Sequence, residues 1–82
     1  MPVKKSKQVK KFLDSQDKPT RKRLETALDK LPSGDTVPIV GLPNTFRLRV
    51  GNYRAIFVQE SDVIKVTLLD VRGQIYKRGG RS

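Results

Sequence analysis

The chain has 82 residues and 35% of them are hydrophobic, so it can form one domain with a single small core. Its 18 lysines and arginines outnumber 8 acidic residues, and the net charge of +10 favours a nucleic acid, an anionic membrane surface or an acidic protein as partner. Cysteine and histidine are absent, which excludes disulfides, thiolate catalysis and the usual general base and metal ligand.

The sequence contains no targeting or membrane-spanning signal. No stretch approaches the roughly 20 apolar residues that cross a bilayer, and the basic start MPVKKSKQVKK lacks the apolar run of a signal peptide. We therefore expect a cytoplasmic protein with no cofactor, in which residues 1–82 form one domain. Residues 77–82 are rich in glycine and arginine and are expected to be a flexible tail.

The first part of the chain has helical periodicity. An i, i+3, i+4 apolar pattern predicts a short helix over about residues 7–15, and a second helix is expected to begin near Pro19 and end before Pro32. The apolar stripe of the second helix consists of Leu24, Ala27, Leu28 and Leu31. Its remaining cations, which we interpret as a solvated helix surface, are Arg21, Lys22, Arg23 and Lys30.

The second part of the chain has a period of two, which predicts strands. Apolar and arginine side chains alternate over residues 46–50, and the pattern resumes over 53–59 after a Gly-Asn pair. A two-residue link that begins with glycine predicts a tight hairpin, because glycine accepts the positive φ of the turn. Ser61 and Asp62 form a second turn candidate before a third strand over 63–71, and residues 2–5 fit a short edge strand. Residues 33–45, with two prolines and two glycines, are predicted to be an irregular connector.

Pairing across the Gly-Asn turn separates the side chains into two faces. One face collects the apolar residues Phe46, Leu48, Val50, Tyr53, Ala55 and Phe57. The other face has Arg49 opposite Arg54, with Arg47 beside them. A regular continuation through the second turn assigns Leu68 to the apolar face and Leu69 to the arginine face. Opposed arginines repel, and no acidic residue lies between residues 46 and 59, so a bound anion explains the cluster better than folding does.

The residue types that remain suit RNA cleavage. The aspartates at 35, 62 and 70 are scattered near turns or strand ends, where turn chemistry explains them. In RNA cleavage by transesterification the 2′-hydroxyl of the RNA is the nucleophile, so the protein must orient the phosphate and stabilise the developing charge. Guanidinium groups do both through bidentate phosphate contacts, and a tyrosine can stack on a base or transfer a proton. The alternative interpretation is an ordinary solvated sheet face.

Four segments resemble the RelE/ParE superfamily of toxins from type II toxin–antitoxin modules: RKRLETALDKLPSGD, IVGLPNTF, FRLRVGNYRAIF and LLDVRGQIYK. The resemblance implies an α+β fold, with two N-terminal helices packed on one face of a small, mainly antiparallel four-stranded sheet. RelE-like members of the superfamily cut mRNA in the ribosomal A site without a metal. ParE-like members instead poison DNA gyrase.

The resemblance also implies a set of site residues. Arg47 and Arg49 match the basic residues of the central strand, and Arg54 matches the arginine that contacts the scissile phosphate. Arg72 matches an arginine that acts as an acid or stabilises charge, and Tyr76 matches the tyrosine that stacks on the substrate base. The further basic residues that we expect to contact the substrate are Lys65, Lys77 and Arg78.

The implied partners are mRNA, the 70S ribosome with its 16S rRNA, and a cognate antitoxin, with no membrane and no metal. Three hypotheses remain open: a ribosome-dependent endoribonuclease, a gyrase poison without nuclease activity, and an inactive basic RNA-binding remnant. Arginine is a poor general base, so either Arg49 stabilises charge while another group or the ribosome takes the proton, or cleavage is slow. Because Arg54 is assigned to the non-core face, Arg54→Ala is expected to abolish growth arrest without unfolding the protein.

Overall fold

The computed structural model describes residues 2–71, which form two helices and five strands. The elements in chain order are β1 (Val3–Lys5), α1 (Lys7–Asp14), α2 (Lys18–Asp29), β2 (Thr36–Pro38), β3 (Thr45–Val50), β4 (Tyr53–Glu60) and β5 (Val63–Val71). The strands form one sheet in the order β1-β5-β4-β3-β2, in which β1 runs parallel to β5 and the other neighbours are antiparallel. The predicted site residues at 72, 76, 77 and 78 and the predicted flexible tail lie outside the described residues.

Both predicted helices are confirmed, and their ends follow from local sequence. Ser6 caps α1, since its hydroxyl oxygen accepts a hydrogen bond from the backbone N–H of Val9 at 3.2 Å. Asp17 precedes α2, and Pro19 lies in the first turn, where a missing N–H costs nothing. None of the helices within residues 2–71 is long and apolar enough to span a membrane.

The core lies between the two helices and one face of the sheet. Phe57 lies in this core and is 1% exposed, and its ring stacks on that of Phe46 with the ring centroids 5.4 Å apart. Burying a large apolar side chain stabilises a fold by about 1.5–3 kcal/mol, so this layer supplies most of the driving force. The buried hydrophobic residues are Val9, Leu13, Leu24, Leu28, Leu31, Leu48, Ala55, Phe57, Ile64, Val66 and Leu69.

The prediction of a four-stranded sheet is wrong, because the segment predicted as an irregular connector contributes the edge strand β2. Val37 lies opposite Arg47 of β3 in the antiparallel register. Backbone hydrogen bonds hold both ends of β2 to β3, from Arg49 N–H to the Asp35 carbonyl and from Ile39 N–H to the Thr45 carbonyl, each 2.9 Å. Pro38 is tolerated because an edge strand needs hydrogen bonds on one side only.

The regular register predicted between β4 and β5 is also wrong beyond Phe57. Phe57 pairs with Val66 as predicted, but Ile56 pairs with Leu68, so Thr67 is an extra residue in a β-bulge. The bulge reverses the two leucines: Leu69 is 1% exposed in the core, and Leu68 moves to the opposite face. A regular strand would instead have directed a carboxylate, that of Asp70, into the apolar core.

Side chains from the start of α1 hold the bulged strand in place. The Gln8 side chain accepts a hydrogen bond from the Leu69 N–H at 2.9 Å and donates one to the Leu69 carbonyl at 2.8 Å. The Ser6 hydroxyl donates to the carbonyl of Thr67 at 2.9 Å. Beyond the end of β1, strand β5 has no neighbouring strand on that side, and the Gln8 side chain makes the hydrogen bonds that such a strand would make. These bonds hold Leu69 with its side chain on the core face.

Candidate functional site

The β3–β4 hairpin has the predicted register. Val50 pairs with Tyr53, Arg49 with Arg54, and the Gly-Asn pair forms the turn, with Gly51 at φ +58°. Since Leu48 is buried beneath the helices and the partly buried Phe46 and Val50 pack against the same core, the arginines lie on the opposite face of the sheet. We call this face the arginine face and define it by Arg47, Arg49 and Arg54.

Arg54 lies on the face away from the core, as predicted, but it is buried there. It is 8% exposed, and its Nη1 donates hydrogen bonds to the carbonyl oxygens of Gly51 at 2.9 Å and Tyr53 at 3.0 Å. Asp70 of β5, 5% exposed, lies directly opposite it. Burying a guanidinium requires hydrogen bonds and an opposing charge, and the bulge brings Asp70 to this position. The expectation that no acid offsets the arginines is therefore wrong.

Arg49 lies in a different environment, although it is directly opposite Arg54. Its side chain is 56% exposed, and its Nε is 2.6 Å from Oδ2 of Asp35, which is 50% exposed. An exposed ion pair of this kind contributes only about 0–1 kcal/mol to stability. A phosphate can therefore replace the carboxylate at little cost, and Asp35 has a larger role than that of a turn residue.

Arg47 occupies the middle of the sheet. It is half-buried, and its register neighbours are Val37 on β2 and Ile56 on β4. The three predicted arginines thus share a face but differ in surroundings: one lies among apolar neighbours, one is exposed beside a carboxylate, and one is buried on backbone carbonyls.

The predicted substrate residue Lys65 lies on the same face, toward the opposite edge of the sheet. It pairs in register with Val58 of β4 and with Lys4 of β1, and its Nζ is 3.1 Å from Oε1 of Glu60. Sequence analysis did not identify Lys4, whose place on this face follows from the parallel pairing of β1 with β5. The same face of the sheet therefore carries two lysines, which Ile56 and Val58 separate from the arginines.

A further arginine reaches the hairpin from the helix side. A Cβ atom added to Gly51 would lie 2.7 Å from Nη2 of Arg23, so the Arg23 guanidinium lies against the turn. On the other side, the carbonyl oxygen of the same glycine accepts the hydrogen bond from Nη1 of Arg54. Arg23 is exposed as predicted, but α2 aims it at the turn, which helical periodicity alone does not reveal.

This arrangement can bind an anion and stabilise negative charge. Two carboxylates accompany the arginines: Asp35 forms an ion pair with Arg49, and Asp70 lies opposite Arg54 in the register of β4 and β5. Within residues 2–71, no three side chains of the His, Cys, Asp and Glu types are grouped to hold a metal ion. The positions of Arg72, Tyr76, Lys77 and Arg78 relative to the arginine face stay predictions.

The sequence matches no protein-family model and no curated protein. Solved structures do resemble it. The RelB–RelE antitoxin–toxin complex from Methanococcus jannaschii contains a chain with 26% identity and a TM-score of 0.77, covering 95% of this chain and 100% of that one. The archaeal RelE–RelB complex from Pyrococcus horikoshii OT3 contains a chain with 30% identity and a TM-score of 0.72, covering 89% of this chain and 96% of that one. Both similarities span the helices and the sheet.

Proposed function

Because the chain belongs to the RelE family of toxins, we propose that it is the toxin of a type II toxin–antitoxin system and cuts mRNA in the ribosomal A site. The similar solved structures are toxin–antitoxin complexes, which supports a cognate antitoxin as one partner. The observation that carries the nuclease proposal is the pairing of Arg49 with Arg54, beside Arg47, on the sheet face opposite the helices.

The proposed reaction is transesterification within the mRNA. The 2′-hydroxyl oxygen loses its proton and attacks the adjacent phosphorus, so a P–O2′ bond forms and the P–O5′ bond breaks. The leaving 5′-oxygen takes up a proton from solvent, which gives a cyclic phosphate and a 5′-hydroxyl. The phosphorane transition state carries additional negative charge, which positioned guanidinium groups stabilise. Because the RNA supplies the nucleophile, the protein contributes orientation and charge stabilisation.

The environments of the arginines divide the proposed work between them. Arg49 is exposed and exchanges Asp35 for the scissile phosphate. Arg54 has little exposed surface, so it fixes the turn and adds positive charge behind the phosphate. Arginine stays protonated at neutral pH, so the 2′-hydroxyl proton passes to another group or to the ribosome. Arg72 and Tyr76 complete the proposed catalytic set by resemblance.

The remaining basic residues serve binding in this proposal. Lys65, Lys77 and Arg78 contact the RNA, and the whole chain acts as one domain in the cytoplasm at the 70S ribosome. The net charge of +10 supports affinity for 16S rRNA. Contacts of this type release counterions from RNA, so binding is expected to weaken steeply with salt.

Primer-extension mapping of mRNA in programmed ribosomes tests the proposal. We expect the wild-type protein to produce a cut within the A-site codon. Arg49→Ala is expected to slow the cut about a hundredfold, the typical effect of removing one preorganised donor to a developing anion. Lys22→Ala, which removes an exposed cation of α2 away from the arginine face, is the control and is expected to cut like wild type.

The other hypotheses give different results in parallel assays. Intact mRNA together with inhibited supercoiling by DNA gyrase would replace the nuclease proposal with a gyrase poison. Intact mRNA with no growth arrest on induced expression would indicate an inactive RNA-binding remnant. Equal cutting by Arg49→Ala and wild type would remove Arg49 from the proposed site but would retain the activity.

A further inference from the structure

A pocket of about 280 Å³ lies where β3 begins and β4 ends, at the end of the sheet away from the Gly-Asn turn. The backbone N–H of Gln59 donates a hydrogen bond to the carbonyl oxygen of Asn44 at 2.8 Å, which holds the two sides of the pocket together. Pockets that enclose a drug-sized ligand measure about 300–1,000 Å³, so this one is suited to a single flat group. We call it the amide pocket, and its lining residues are Asn44, Phe46, Gln59, Glu60 and Ser61.

The amide pocket contains two side-chain amides that the fold does not use. Within residues 2–71, the side chains of Asn44 and Gln59 make no hydrogen bond, although each carries donors and an acceptor. Asn44 has φ +57°, a backbone conformation that asparagine tolerates better than most residues. Phe46, which stacks on Phe57 in the core, also lines the pocket and is half-buried. The pocket therefore places available amides beside an aromatic ring.

A cation lies beside the amide pocket. Glu60, which lines the pocket, is paired with Lys65 of β5, with 3.1 Å between Oε1 and Nζ. Both side chains are about half exposed, at 50% and 48%, so water screens the ion pair and a phosphate can replace the carboxylate at little cost. Lys65 is thus available to an anion that enters beside the pocket.

These features favour an unpaired RNA base over a protein segment as the occupant. Single-stranded RNA is recognised by aromatic side chains that pack on its bases and by hydrogen bonds to the base edges. A carboxamide matches adenine in particular, because its oxygen accepts a hydrogen bond from N6 while its N–H donates one to N7. A protein segment would need an apolar floor, and among the described residues Phe46 alone gives this pocket a large apolar wall.

We propose that the amide pocket binds one unpaired adenine of an RNA strand. The base lies against Phe46 with its polar edge on the amides of Asn44 and Gln59, and the adjoining phosphate binds Lys65. Gln59 lies five residues beyond Arg54 on β4, about 16 Å away at about 3.3 Å per residue, so this adenine is not the nucleotide held at the arginine face. The inference rests on the proposed function in taking RNA as the ligand, and it adds a second site that reads a base.

Binding of three fluorescent RNAs to the whole chain tests the inference. Each is a 12-nucleotide strand of uridine with 2′-O-methyl groups, which block transesterification, and the central nucleotide is uridine, adenosine or guanosine. We expect the wild-type protein to bind the adenosine strand about tenfold more tightly than the other two in fluorescence anisotropy, because only adenine presents the N6 and N7 pair. The guanosine strand controls for stacking by a purine. Equal affinities for the adenosine and guanosine strands would overturn the inference.

Two variants with the same substitution localise the preference for adenosine. Gln59→Met removes an amide from the pocket while keeping a side chain of similar length, and we expect it to abolish the preference without weakening the uridine strand. Gln16→Met is the control, because the Gln16 amide lies near the Tyr53 hydroxyl at the start of β4. We expect it to retain the preference, with circular dichroism confirming that both variants are folded. A preference that Gln59→Met retains, or that both variants lose, would overturn the inference.

A second pair of variants tests the phosphate contact. Lys65→Ala should weaken all three strands about threefold more than Lys4→Ala, which removes the exposed lysine opposite Lys65 on β1, and it should leave the adenosine preference intact. Equal weakening by the two variants would show that only the overall charge matters and would overturn the assignment of the phosphate to Lys65.

Primer extension in programmed ribosomes identifies which RNA supplies the adenine. If the mRNA supplies it, replacing one adenosine near the A-site codon will slow cutting by the wild type but not by Gln59→Met. If 16S rRNA supplies it, Gln59→Met will slow the cutting of every mRNA alike. The same assay separates this inference from the proposed function: cutting without an adenosine preference rejects the amide pocket alone, and an adenosine preference without cutting rejects the nuclease alone.

Discussion

The two central strand pairs, β3–β4 and β4–β5, differ in how closely they follow the alternation of the sequence. The β3–β4 hairpin keeps a regular register from Val50 and Tyr53 to Thr45 and Val58. The β4–β5 pair shifts by one residue at Thr67. A tight two-residue turn fixes the first register locally, whereas the second depends on which residues the core and α1 accept.

Arg54 belongs to both pairs and shows the consequence of this difference. Toward β3 it faces Arg49, which gives the repulsive pair that the hairpin pattern predicts. Toward β5 it faces Asp70, which only the shifted register brings opposite. The hairpin thus presents an exposed arginine on β3, Arg49, which is available to a ligand, and a buried arginine on β4, Arg54, which is part of the fold.

The largest expected effect distinguishes the two leucines that the bulge exchanges. Leu69→Ala should lower the free energy of unfolding by about 2–5 kcal/mol, because it opens a cavity in the core. Leu68→Ala, on the half-buried opposite face, should cost about 1 kcal/mol. Urea denaturation at constant m-value measures both. A larger loss of stability for Leu68→Ala than for Leu69→Ala would contradict the bulge and support the regular register between β4 and β5.

The next effect compares the two opposed arginines. Arg54→Ala removes a buried cation, and with it two hydrogen bonds to backbone carbonyls and the positive charge opposite Asp70. It should therefore destabilise the fold by about 1.5–3 kcal/mol. Arg49→Ala should cost less than about 1 kcal/mol, because its ion pair is exposed.

Thermal unfolding measures this comparison. Since Arg54 is buried, we now expect Arg54→Ala to destabilise the fold, and the measurement tests this against the expectation from the sequence that the fold stays intact. Growth-arrest assays of Arg54→Ala therefore need normalisation to the amount of folded protein. If Arg54→Ala unfolds at the same temperature as wild type, the buried hydrogen bonds contribute nothing net, and the original expectation holds.

The smallest effect concerns the carboxylate on Arg49. Asp35→Asn should change stability by less than about 1 kcal/mol and should raise the affinity for a 12-nucleotide RNA by roughly twofold to fivefold at low salt, because Arg49 becomes available to phosphate. Asp62→Asn makes the same charge change at an exposed turn and is the control. Filter binding at two salt concentrations measures both, and an equal gain for Asp62→Asn would exclude a specific effect at Arg49.

The sequence by itself determined the helices, the β3–β4 hairpin and the shared face of Arg47, Arg49 and Arg54. These features depend on neighbours a few residues apart: apolar spacing, a capping serine, and a glycine that accepts positive φ. It also predicted a short edge strand at residues 2–5, which the structure has at Val3–Lys5, and the RelE-like fold by resemblance. That Arg72 and Tyr76 belong to the catalytic set stays a prediction.

Only the tertiary structure decided the fifth strand, the bulge, and the pairing of acids with arginines. Gln8 and Ser6 hold β5 from about sixty residues away in sequence, so no local pattern reports the shift at Thr67. One signal was present, since regular alternation would have placed Asp70 in the core, and burying an unpaired carboxylate is too costly. The bulge avoids that cost and places Asp70 opposite Arg54, so Arg49 is left as the exposed arginine of that pair.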